Sequence, residues 1–196
     1  MLLLGHAGIT LGAALAIDTV HSRRSRSPVL DSSADGTWRG PLRRLSRKID
    51  LRLLLIGSLL PDIIDKPLGL LLFPTVFGTG RLFAHTLLFI LALCVCGLLF
   101  YSYRGNNGIL VITYGSAMHL LLDSMWLSPA ILLWPFLGPM PTGTSDLWLE
   151  RLIETLLHNP HAYAPEILGG IIAIPLVWAL FRRGGLLRFL RTGTVG

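Results

Sequence analysis

Seven residues of this chain carry side chains able to bind a metal ion or hold a phosphoester: His6, Asp62, Asp65, Arg81, His85, His119 and Asp123. Imidazole nitrogens combined with carboxylate oxygens form the ligand set of zinc, or of manganese or iron. In "MHLLLDS", His119 and Asp123 are four positions apart and share one helix face. Arg81 and His85 in "RLFAHTLL" have the same spacing, and Asp62 and Asp65 in "LLPDIIDK", three apart, nearly share a face. Both aspartates stand in a strongly apolar stretch, where an ionised carboxylate costs several kcal/mol unless a cation pairs with it. A divalent cation would offset that cost.

The elements that must position these residues are membrane helices. The 196 residues are 52% hydrophobic and only 14% charged, too apolar and too poor in charge for a soluble domain of this size. Residues 1–20, 82–103, 108–126 and 164–181 are each long and apolar enough to cross a hydrocarbon core of about 30 Å. Residues 51–64 form a shorter fifth crossing interrupted by Pro61, and 67–78 read as a re-entrant or interfacial segment. The fold expected is therefore all-α: a polytopic integral membrane bundle of about five transmembrane helices in a single domain, 1–196.

Charge sets the orientation. Every Lys and Arg except Lys66, Arg81 and Arg151 falls on one side of that arrangement, and the positive-inside rule makes that side cytoplasmic. The chain is thus expected in the cytoplasmic (inner) membrane of a prokaryote, with its N-terminus outside and its C-terminus inside. The net charge of +6 then reflects topology, and no nucleic acid is expected as a partner. Residues 21–48 read as a basic, partly disordered cytoplasmic loop that touches anionic lipid headgroups.

Placed by depth, His6, Asp62, Asp65, His85, His119 and Asp123 fall at one level, the outer third of the membrane, from four different helices. A lone intramembrane histidine is usually a packing or capping residue, and Asp123 could simply pair with Arg81. Six convergent ligands favour a metal, because intramembrane ionisable groups are functional by default. Asp18 and His21 lie at the other end of the first helix and receive no role. Cys94 and Cys96, two apart, point to different faces and read as packing residues. Around "SDLWLERLIETLLHNP" an outer amphipathic helix is expected, with Glu150, Glu154 and His158 on its polar face. That face reads either as solvated or as supplying Glu154 or His158 to the metal from above.

"HAGITLG", "LLPDIID", "RLFAHTLLF", "HLLLDS" and "WPF", in this order, resemble the motifs of the LexA-regulated membrane-bound metal-dependent hydrolase family. That family is in turn similar to the zinc-dependent phospholipase C and single-strand nuclease superfamily. The resemblance implies metal ligation by His6, His85, His119 and Asp123, with Asp62 or Asp65 as ligand or general base. Glu154, His158, His161 and Glu166 are the candidates for the superfamily's later His and Glu ligands.

The chemistry expected is hydrolysis of a lipid phosphoester at the outer face, with one or two divalent ions, zinc first and manganese or iron as alternatives. A metal with an open position lowers the pKa of bound water toward about 7, and a guanidinium such as Arg81 matches phosphate geometry. Membrane lipids and a lipid phosphoester are the expected partners. His-Glu-x-x-His and Gly-x-Ser-x-Gly are both absent, which argues against a zinc metalloprotease and a serine hydrolase. The competing class is a metal or proton transporter built on the same His/Asp cluster.

Overall fold

The structure, a computed structural model, describes residues 3–24, 45, 48–143, 153–154, 158–181 and 185–194. Among the described residues the chain is all helical, with seven α-helices. These are α1 (Leu3–Arg24), α2 (Leu51–Lys66), α3 (Leu87–Arg104), α4 (Gly108–Leu122), α5 (Pro129–Leu132), α6 (Pro160–Phe181) and α7 (Gly185–Thr192).

Three segments have the length and apolarity of membrane spans: Leu3–His21, Leu87–Arg104 and Tyr163–Phe181. Of the five crossings expected, the other two are shorter. With 16 and 15 residues, α2 and α4 reach only about 22–24 Å at 1.5 Å per residue. They pack against each other, while α1 pairs with α6 and α3 lies on α4. Along α3 only Gly97 is buried, and Leu88, Leu91, Val95, Leu98 and Leu99 are exposed. An outward face this apolar is stable against lipid and not against water.

Periodicity explains the inner pair. The buried residues of α2 are Leu51, Leu54, Gly57, Ser58, Pro61, Asp62 and Asp65, a three-four stripe that turns both aspartates inward. On α4 the corresponding stripe includes Val111, Gly115, Ser116 and His119. The two helices approach closely because glycine meets backbone at the crossing. A Cβ on Gly57 would lie 2.6 Å from Ile112 O, and one on Gly115 would lie 2.6 Å from Ser58 N. Small residues at such crossings let van der Waals packing replace the hydrophobic effect, which is absent between helices in lipid.

Pro61 prepares a further contact. It has no N–H to give to the carbonyl four residues back, so Gly57 O is released from the helix ladder. Ser116 Oγ donates to it across the interface at 3.0 Å. One residue along, Ser58 O accepts from His119 Nδ1 at 2.7 Å.

One sequence expectation is corrected by the fold. Arg81 and His85 do not lie on a helix: α3 starts at Leu87, and Phe83–His85 form a 3-10 turn before it. Thr86 ends that turn as the N-cap, its Oγ1 accepting from Phe89 N at 3.1 Å. Residues 67–78, expected as a re-entrant or interfacial segment, begin as a continuation of α2. Pro67–Leu72 extend α2 as a π-helical stretch, closed by Phe73 N donating to Leu68 O at 3.0 Å. Most of the basic loop 21–48 lies outside the described residues.

Candidate metal centre

Four segments bring the polar side chains together, and each is held locally. On α1, His6 sits in the first turn, which contains no acidic residue of its own. Glu166 of α6 fills that role from across the interface, its Oε2 accepting from Leu4 N and Gly5 N at 3.0 Å each. A carboxylate at a helix N-terminus is favoured by the dipole and by the unpaired N–H groups there. Glu166 therefore fixes the entry of α1 and is not among the residues grouped around the centre.

On α2, Asp62 and Asp65 separate into different roles. Asp65 is fully buried and its carboxylate is saturated: Leu82 N donates to Oδ2 at 2.7 Å, His85 N to Oδ2 at 3.2 Å and Ala84 N to Oδ1 at 3.1 Å. His85 Nδ1 lies 2.7 Å from the same Oδ2. Three backbone N–H groups already donate to this carboxylate, which acts as the acceptor of the whole turn, and the His85 contact is Nδ1–H donating to it. Asp65 thus shapes the 82–85 turn and leaves His85 Nε2 as the lone-pair nitrogen. It joins neither of the two ligand groups that the described residues form, His6/Asp62/His119 and His85/His119/Asp123.

Asp62 faces the centre. Its Oδ2 accepts from Lys66 Nζ at 2.6 Å, and its Oδ1 stands 3.7 Å from the Nε2 atoms of both His85 and His119. His119 Nδ1 must donate, since Ser58 O can only accept, so His119 Nε2 also presents a lone pair. The Nε2 atoms of His85 and His119 lie 3.3 Å apart. Two acceptor nitrogens at that distance repel unless a cation lies between them.

Asp123 follows the last residue of α4, its N–H donating to His119 O at 2.9 Å. Arg81 donates to its Oδ2 through Nε at 3.1 Å and Nη2 at 2.9 Å, while its Oδ1 lies 3.2 Å from His6 Nε2. His6 is fully buried, and its ring stacks on His119 with centroids 3.9 Å apart. Neither ring nitrogen of His6 has a hydrogen bond of acceptable geometry. Buried polar atoms are nearly always satisfied, so these nitrogens suit a ligand.

The donor set fits a divalent metal. Four-coordinate zinc with nitrogen at about 2.0–2.1 Å places neighbouring ligand atoms about 3.3 Å apart. The His85–His119 and His6–Asp123 separations are close to that value. Each carboxylate commits one oxygen to a cation, Lys66 or Arg81, and keeps the other toward the imidazoles.

Of the remaining sequence candidates, the His161 side chain lies outside the described residues. Glu154 and His158 are exposed, His158 Nδ1 lies 3.1 Å from Glu154 O, and neither joins the groups above. Glu150 lies outside the described residues, as does most of the expected amphipathic helix. Asp18, at the other end of α1, is buried and paired with Lys48. The sequence reading did not point to Ser58 or Ser116, and Glu166, expected as a candidate ligand, instead accepts from the first N–H groups of α1. Pro61 was the available signal for Ser116, because a proline inside a helix frees the carbonyl four residues back, here Gly57 O.

Residues 1–186 match the family model described as YdjM inner membrane protein. The chain belongs to the YdjM inner membrane protein family, in keeping with its lipid-exposed apolar helices and with the membrane character read from composition. No curated protein and no solved structure matches it.

Proposed function

We propose that this protein is a membrane-bound metal-dependent hydrolase that cleaves a lipid phosphoester. One observation carries the reading: three fully buried imidazoles turn toward two inward carboxylate oxygens, with the Nδ1 atoms of His85 and His119 already donating elsewhere. The ligands are His6, His85, His119 and Asp123. Because His119 offers only Nε2, it serves a single ion, zinc first and manganese or iron as alternatives, and Asp62, though grouped with His6 and His119, is kept for the water. When bound, the ion supplies Lewis-acid polarisation of the phosphoryl oxygen and a water acidic enough to ionise near neutral pH.

The chain's own residues do the rest. Asp62 Oδ1, set 3.7 Å from both imidazoles, takes the proton of the attacking water, while Lys66 holds Oδ2. Asp65 orients His85. Arg81 stands beside Asp123 with 42% of its side chain exposed, placed to hold a phosphate oxygen. The motifs resemble the LexA-regulated metal-dependent hydrolase family, and the resemblance of that family to the zinc-dependent phospholipase C and nuclease superfamily implies the same bond. The asymmetry of basic residues supports an N-terminus outside, a C-terminus inside and a site toward the extracytoplasmic face.

Metal content per chain, read with phosphate release from lipid phosphates, tests the proposal. Wild type should carry about one ion and release phosphate, and His119→Ala should lose both while remaining helical. Metal content unchanged in His119→Ala overturns the ligand set; metal without hydrolysis, with ion uptake into proteoliposomes, would make the protein a transporter. For orientation, cysteines at Ser128 and Thr142 should react with an impermeant reagent on intact cells and one at Ser33 should not. The reverse pattern places the site in the cytoplasm.

A further inference from the structure

Next to the His/Asp cluster lies a cavity of about 640 Å³, within the range of small-molecule sites. Its walls divide by chemistry. Arg81 and Asp123 are its charged lining, and Ile9 of α1, Leu122 of α4, and Ala164 and Leu168 of α6 are apolar lining. The charged lining keeps an open cationic edge. Arg81 gives Nε and Nη2 to Asp123, and among the described residues its Nη1 has no partner. The apolar lining reaches the exposed apolar surface of α6, since Leu168 lines the cavity and is itself half exposed, as are Ile167 and Ile171.

This division selects one kind of occupant. A small polar phosphate would leave the Ile9, Leu122 and Leu168 wall uncovered and forfeit its apolar burial. A neutral lipid would leave the open edge of Arg81 without an anion, although a guanidinium favours bidentate contact with phosphate. We infer that the cavity holds a lipid phosphoester entering sideways from the bilayer, its phosphate on Arg81 and one acyl chain along Ile9, Leu122 and Leu168. The inference rests on the phosphoesterase reading for its chemistry and adds where the substrate lies. Leu168 and Ala164 then set which chains fit, because they face the chain and not the cluster.

Photocrosslinking on chelator-treated protein in nanodiscs tests it without turnover. The probe is phosphatidic acid with a diazirine at the end of one acyl chain, and the control is diacylglycerol carrying the same chain. Phosphatidic acid should give at least tenfold more adducts than diacylglycerol on peptides containing Ile9, Leu122 or Leu168. Arg81→Ala should abolish that preference. Leu168→Trp, which fills the space beside the apolar lining and leaves Arg81 intact, should remove the Ile9 adducts while those on the outer face of α3 persist. Equal labelling by the two lipids, a preference that survives Arg81→Ala, or Ile9 adducts that survive Leu168→Trp overturns the inference. Adducts as expected in a protein whose metal-loaded form hydrolyses nothing would sink the enzyme and keep the cavity's ligand; hydrolysis without the preference would do the opposite.

Discussion

Asp65→Asn separates a residue that positions a ligand from a ligand itself. In the native site Asp65 Oδ2 accepts from Leu82 N, His85 N and His85 Nδ1, and Oδ1 accepts from Ala84 N. An asparagine with its carbonyl at the Oδ2 position keeps three of these bonds and turns its amide toward Ala84 N, donor against donor. The flipped rotamer is worse, because three donors then meet the amide. A buried donor left unpaired costs about 1–3 kcal/mol, and the surviving bonds lose their charge assistance. With a weaker acceptor behind it, His85 becomes a poorer and less well-oriented ligand. Losing such a partner weakens metal affinity about 10–100-fold, or roughly 1.4–2.8 kcal/mol at 1.4 kcal/mol per tenfold. The assay is competition for zinc against a chelator of known affinity, with helicity checked by circular dichroism. Asp65→Asn should still fill at saturating zinc, with affinity reduced by that factor, whereas Asp62→Asn should lose turnover. Unchanged affinity in Asp65→Asn would refute the positioning role. Failure to fill at any zinc concentration would make Asp65 a ligand.

Three further outcomes follow from the same contacts. Asp123→Asn removes a charge that faces both His6 and Arg81, so metal content measured by elemental analysis should fall sharply, while His21→Ala at the far end of α1 should leave it unchanged. Gly57→Leu forces a side chain onto Ile112 O and should destabilise the α2–α4 crossing by about 1–3 kcal/mol or more, seen as a lower melting temperature. Gly170→Ala, with only Leu4 Cδ1 at 3.9 Å nearby, should melt as wild type. At the start of α2, burial raises the Asp50 carboxyl pKa, but Arg52 and backbone N–H groups outweigh it and hold the carboxyl below the usual range. A depressed folded-state pKa adds stability above the unfolded value that is lost as pH falls. Asp50→Ala should therefore cost about 1 kcal/mol at neutral pH as a lost N-cap, and the melting difference should close below about pH 4.

The sequence by itself determined the solvent and the short-range pairs. Hydrocarbon tolerates long runs without charge, so the spans of α1, α3 and α6 were readable from composition alone. His119 and Asp123 stay one turn apart whatever packs on them, because helical spacing is local. The inward stripe of α2 was readable in the same way. Tertiary structure decided what each polar group faces. Asp62 and Asp65, three positions apart, differ by about 60° around the helix, and that offset sends one to the imidazoles and the other to the 82–85 turn. Periodicity gives the offset and says nothing of what stands on either side. Arg81 and His85 have helical spacing but precede α3, since Thr86 caps the helix and Asp65 claims the backbone ahead of it. That competition is between residues far apart in the chain, and no local pattern records it. Glu166 capping α1 and Ser58 anchoring His119 are of the same kind. Their partners are backbone atoms, which every residue carries, so only the packing of α1 on α6 and of α2 on α4 selects them.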